Sequence, residues 1–122
     1  MYEKIDALLG KTLRAITPAK KGDDEIVFEC EDGTRFKMFH SQDCCETVAV
    51  EEVVGDLADL VGSPIVEAEM VESKDGEPKP QYPDSWTWTF YKLGTAKGFV
   101  TLRWLGESNG YYSEGVDFCK AP

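Results

Sequence analysis

Seven consecutive residues, His40-Ser41-Gln42-Asp43-Cys44-Cys45-Glu46, bring an imidazole, two thiols and two carboxylates into one short stretch. All are groups that ligate metals or move protons. Two chemistries follow from them. In the first, a thiolate of Cys44 or Cys45 attacks a substrate with His40, the only histidine in the chain, as its base. The carboxylates of Asp43 and Glu46 oppose this, because negative neighbours disfavour a thiolate. In the second, His40, Asp43 and Cys44 hold a metal, with Cys30 or Cys119 as a distant fourth ligand. Structural zinc sites space their cysteines by two to four residues, whereas adjacent cysteines on an extended chain point to opposite sides. The spacing therefore favours a plainer reading: His40 and one cysteine fill the edge of a core while Asp43 hydrogen-bonds the backbone in a turn. No catalytic residue, metal or cofactor is expected. His40, Asp43, Cys44, Cys45 and Glu46 stand as the catalytic alternative, and His40, Asp43 and Cys44 as the metal alternative.

A different chemistry lies on the surface. Glu67 and Glu69 fall about 6.8 Å apart on one side of a strand, with Glu51, Glu52, Asp56 and Asp59 near in sequence, and together they suit a basic partner. Asn109, Tyr111 and Tyr112 sit at a turn, where tyrosines supply rigid contact area. No glycine-rich phosphate cradle and no Ser/His/Asp arrangement is present.

The elements that must position these residues are strands. Glu25–Cys30 and Thr34–His40 flank Glu31-Asp32-Gly33, a three-residue loop with a left-handed glycine. That loop places Phe28 opposite Phe36, Ile26 opposite Met38 and Glu29 opposite Arg35, and it carries His40 onto the buried side provided the strand runs that far. In the last third, Trp86, Trp88 and Phe90 alternate with Thr87, Thr89 and Tyr91, as on a sheet with one buried face. Ala96-Lys97-Gly98 turns the chain into the next strand. A second three-residue loop, Ser108-Asn109-Gly110, predicts Val100 opposite Phe118, Leu102 opposite Val116 and Trp104 opposite Glu114. Thr47–Val54 and Ile65–Glu72 read as further strands, the latter half-buried with an acidic outer face. Lys11–Thr17 alternates imperfectly. Short helices are expected over Tyr2–Leu9, stopped by Gly10, and over Leu57–Val61, capped by Asp56.

The fold class is thus mainly β: a curled antiparallel sheet or small open barrel of about seven strands built from hairpins, with one or two short helices, or alternatively a two-layer sandwich. Residues 1–122 form one domain, and 73–84, with three prolines, form an exposed loop. No internal repeat interrupts this reading. A chain of 122 residues with 42% hydrophobic and 30% charged residues is long and apolar enough to bury its own core. A net charge of -10 repels phosphate backbones and anionic lipids, so direct nucleic-acid binding is disfavoured. No apolar run has the length of a membrane span or the form of a secretion signal. These features imply a cytoplasmic protein with four reduced thiols.

The residues His40 to Glu46, then Gly55-Asp56-Leu57, Thr87-Trp88-Thr89-Phe90-Tyr91, Arg103-Trp104 and Gly106-Glu107-Ser108-Asn109-Gly110-Tyr111-Tyr112-Ser113 resemble a family of small bacteriophage and prophage proteins of unknown function. The resemblance implies a phage-related origin and a host-cytoplasm setting, and it assigns no residue a role. The expected function is a non-enzymatic binding module that engages a host or phage protein through an acidic or tyrosine-bearing surface of Glu67, Glu69, Asn109, Tyr111 and Tyr112. The alternatives are a small metal- or thiol-dependent enzyme centred on His40–Glu46, or a protein that sequesters a small ligand.

Overall fold

The computed structural model describes residues 2–75 and 84–122. Eight strands form two antiparallel four-stranded sheets. The first, in the order β1-β2-β3-β8, holds Leu13–Ile16, Glu25–Cys30, Arg35–Phe39 and Asp117–Ala121. The second, in the order β4-β7-β6-β5, holds β4 Thr47–Val54, β5 Glu67–Ser73, β6 Ser85–Thr95 and β7 Gly98–Ser108. The protein is mainly β, and its sheets do not close into a barrel. Most of the loop expected over 73–84 lies outside the described residues.

The β2–β3 hairpin follows the sequence register, with Phe28 opposite Phe36, Ile26 opposite Met38 and Glu29 opposite Arg35. Gly33 closes its loop at φ 90°, where a side chain would be strained. The β6–β7 hairpin has a tighter connection, because Thr95 already pairs with Gly98 across Ala96-Lys97. β1 carries a register shift between Leu13 and Ala15, which explains its imperfect alternation. Both expected helices are single 3-10 turns, Ile5–Leu8 and Leu57–Leu60, and the second is capped by Asp56 accepting from the Ala58 amide at 3.0 Å.

Three readings of the sequence are corrected. β8 is not the hairpin partner of β7. It crosses to the first sheet and pairs with β3, placing Met38 opposite Phe118, while β7 takes β4 as its other neighbour. Val100 and Leu102 therefore face Leu93 and Tyr91 rather than Phe118 and Val116. Alternation identifies which face of a strand is buried, and β8 satisfies that demand equally well beside β3. Gly110 still adopts a left-handed conformation, yet it opens a long connection rather than a hairpin.

The second correction concerns β6. Its buried row is Thr89, Tyr91, Leu93 and Thr95, and the row Trp86, Trp88 and Phe90 lies half-buried on the outer face. There Arg103 packs its guanidinium over Trp88 at 4.8 Å and Phe90 at 5.8 Å. Thirdly, β5 is not half-buried. Met70 and Val71 are both exposed, because no strand pairs with β5 on the side away from β6 among the described residues.

One hydrophobic cluster draws Phe28, Phe36, Met38 and Phe118 from the first sheet and Val50, Leu93, Leu102 and Trp104 from the second. Phe118 stacks on Phe36 at 5.2 Å and meets Phe28 edge-on at 5.9 Å. Its place in β8 therefore fastens the crossing strand to this core.

Candidate functional site

His40 follows β3 with its side chain 3% exposed, on the inward row with Phe36 and Met38. Its Nε2 lies 2.7 Å from Oε2 of Glu46, and its Nδ1 lies 2.7 Å from the carbonyl of Gly115. A carbonyl only accepts, so Nδ1 bears a proton. Glu46 is the centre of the turn. Its Oε2 also accepts from the Asp43 amide at 2.9 Å, and its Oε1 accepts from the Cys44 amide at 2.9 Å. The hydrogen bond from His40, aided by those amides and opposed by burial, holds the Glu46 carboxyl down at about 2. Gln42 adds a hydrogen bond from Nε2 to the Glu46 carbonyl at 2.8 Å.

This geometry revises the roles in the motif. The turn is organised by the carboxylate of Glu46, not by that of Asp43, whose contribution is its backbone amide. Cys44 and Cys45 are joined to each other by a disulfide, which corrects the expectation of four reduced thiols drawn from the lack of a secretion signal. The backbone bends at both residues, so the extended geometry in which neighbouring side chains point apart does not hold there. Among the described residues, His40, Asp43 and Cys44 do not gather into a group of three metal-ligating side chains. Cys30 is buried and Cys119 half-buried, and both are free thiols.

Gly115 is the hinge to a second buried carboxylate. Glu114 Oε1 accepts from Thr87 Oγ1 at 2.8 Å, and its Oε2 accepts from Ser108 Oγ at 2.5 Å. Burial pushes against its ionisation, but the hydroxyls of Ser108, Thr87 and Ser85, with the Lys74 ammonium 3.7 Å away, hold the carboxyl below its usual range. Gly106 of β7 leaves room for this packing, since a Cβ there would lie 2.3 Å from the Glu114 carbonyl oxygen. The two motifs HSQDCCE and GESNGYYS, remote in sequence, thus meet through Glu114 and Gly115. Both carboxylates are saturated by donors of this chain, and what they do chemically is lock the segment before β8 onto both sheets.

The surface residues divide differently. Glu51 pairs with Lys21 at 3.1 Å, Glu52 pairs with Arg103, and Asp56 is spent on its cap. Among the described residues, Glu67, Glu69 and Glu72 of β5 form no ion pair. Beside β5, a cleft of about 350 Å³ has an apolar lining of Ile5, Ala68, Met70, Tyr91, Val116 and Phe118, rimmed by Glu3, Lys4, Asp6 and Glu69. Burial raises the Tyr91 hydroxyl above its ordinary range. Tyr111 is 85% exposed and stacks edge-on with Tyr112 at 5.6 Å, while Asn109 Oδ1 accepts from the Tyr111 amide. In the sheet register Glu69 lies opposite Lys92, and Ser108, just before Asn109, lies opposite Ser85. Those positions on β6 are about 24 Å apart at 3.4 Å per residue, so the glutamates and the tyrosines are separate surfaces.

A family model described as a domain of unknown function, DUF7448, matches residues 6–118. The chain belongs to the DUF7448 family. The match runs from the first 3-10 turn into β8, so seven of the strands, the start of β8 and both buried carboxylates of this DUF7448 domain fall within it. No curated protein and no solved structure matches the chain. Among the described residues of the DUF7448 domain, no helix is long and apolar enough to cross a membrane.

Sequence reasoning missed Glu114, Gly115, Ser108 and Thr87 as a polar cluster, and it missed the cleft. One signal for the cluster was present: Glu114 is an ionisable residue that the expected register set opposite Trp104, where an apolar partner would be natural. The cleft had no local signal, because its walls come from the first 3-10 turn, β5, β6 and the start of β8.

Proposed function

We propose that this domain is a non-enzymatic binding module, a phage or prophage accessory protein that engages a protein partner in the host cytoplasm through the acidic surface of β5. The observation that supports this reading is the contrast between its carboxylates. Those of Glu46 and Glu114 are consumed inside the fold, and those of Glu51 and Glu52 by basic neighbours, whereas Glu67 and Glu69 form no ion pair among the described residues and lie beside exposed Val66, Met70 and Val71. Unpaired charge next to apolar surface is the composition of a recognition patch rather than of a solvated face. Tyr111 and Tyr112, at the other end of the sheet, serve as a second contact surface.

The test is affinity capture from host lysate at low and high salt, run in parallel with the double variant Glu67→Lys/Glu69→Lys. A partner retained at low salt, weakened at high salt and lost with the charge reversal fits the reading. Equal recovery by both proteins, or recovery by neither, removes it.

A further inference from the structure

Two sheets present four edges, and the chain treats them unequally. β1 is covered by bridges from Thr12 to Pro64 and from Leu13 to Val61. β8 is covered by the bridge from Tyr2 to Cys119 and by the Glu3 amide donating to the Phe118 carbonyl at 2.7 Å. On β4, the Gly22 amide donates to the Val50 carbonyl at 2.8 Å, and the Val50 amide donates to the Asp23 carbonyl at 2.7 Å. β5 has no such hydrogen-bonded cover among the described residues: its seven residues pair with β6 in unbroken register, and the first 3-10 turn packs against the strand without a backbone hydrogen bond to it.

A flat, regular edge strand is a template for another strand, and proteins blunt such edges with proline, lysine, bulges or covering segments. Residues 67–73, EAEMVES, contain no proline, no lysine and no bulge. The strand carries instead three glutamates, Glu67, Glu69 and Glu72. Pairing with a second copy of itself would bring six carboxylates into one ribbon, so the charge selects against self-association. It selects for a basic partner.

We propose that β5 receives an extended segment of a basic protein partner by strand addition, with alternate side chains serving two purposes. Those on the inner face lie beside Ala68 and Met70 at the open mouth of the cleft and are apolar. Those on the outer face lie beside Glu67 and Glu69 and are lysine or arginine. Backbone hydrogen bonds supply the affinity, and the alternation supplies the specificity. This inference rests on the reading of the domain as a binding module, for which it specifies the mode and the chemistry of the partner.

The experiment selects from a displayed library of random twelve-residue peptides with the intact chain as bait, then measures binding of the selected synthetic peptides in solution. The expected peptides alternate apolar and basic residues. Met70→Lys, with its fold checked by circular dichroism, is expected to weaken them about tenfold or more. Methylating peptide backbone nitrogens one at a time weakens binding at positions of one parity only, the signature of a strand bonded along one edge. Binding that is lost with Glu67→Lys/Glu69→Lys but indifferent to backbone methylation overturns strand addition and leaves the binding-module reading standing. Selection of no peptide, or of peptides indifferent to both variants, overturns the two together. A wild-type dimer in sedimentation that Met70→Lys dissociates also overturns the proposal, because the edge then belongs to a second copy.

Discussion

The Nδ1 of His40 donates to the carbonyl of Gly115 at 2.7 Å, joining residues 75 positions apart in the chain. His40 ends the run of β3 in the first sheet, and Gly115 follows the carboxylate that grips Thr87 and Ser108 of the second. One hydrogen bond therefore links the two buried acids, Glu46 and Glu114, through the segment that leads into β8.

Stability is expected to fall in acid through Glu46. Its folded-state value of about 2 lies below the ordinary 4.5, so the contribution is complete above pH 4.5 and is lost as pH falls toward 2. Urea titrations across that window should show wild-type stability declining with pH. Glu46→Gln should be less stable near neutrality, with a shallower decline over the same window. Parallel curves for the two proteins would contradict the assignment.

Gly106→Ala places a methyl group against the backbone of Glu114, with its Cβ 2.3 Å from the carbonyl oxygen. The cost should be about 1–3 kcal/mol, that of overpacking a site whose neighbour is main chain. Because Glu114 must move, the hydrogen bonds at Thr87 and Ser108 should lengthen. Denaturant midpoints report the first effect, and chemical shifts of residues 87 and 108 report the second.

Thr89 Oγ1 is buried and has no hydrogen-bond partner among the described residues. Thr89→Val keeps the shape and β-branching and removes an unsatisfied hydroxyl, so it should be neutral or stabilising by up to about 1 kcal/mol. A thermal melt decides it: a clear loss of stability would mean that the hydroxyl is bonded in solution.

The free cysteines should differ in reactivity. Cys30 is 1% exposed and its thiol is pushed up by burial, whereas Cys119 is half-buried. Brief treatment with iodoacetamide, followed by mass mapping, should label Cys119 well before Cys30.

What the sequence disclosed follows the range of its information. The β2–β3 hairpin was legible because Gly33 fixes the loop and apolar residues alternate on both sides of it, so partner and face are both local facts. The neighbour of β8 was not legible. Val116 and Phe118 show which face is buried, but choosing between β3 and β7 depends on Glu114 and Gly115 being held elsewhere, a non-local matter. β6 misled through composition: Trp86, Trp88 and Phe90 look like core, yet Arg103 and the outer face accommodate them while Thr89 and Tyr91 turn inward. At the candidate site, the inward row of β3 set His40 on the buried side only if the strand reached it; the strand ends at Phe39, and hydrogen bonds to Glu46 and Gly115 hold the ring inside. Its partner Gly115 could not be seen, and neither could the cleft beside β5.

The crossing of β8 has a consequence for the order in which the domain is made. A ribosome releases β4 to β7 as one contiguous block, able to pair within itself as soon as it emerges. β3 is synthesised earlier but waits for residues 117–121 before its second side is occupied. Completion of the first sheet therefore waits for β8, and translation that stops shortly before Asp117 leaves Phe36 and Met38 without the ring of Phe118.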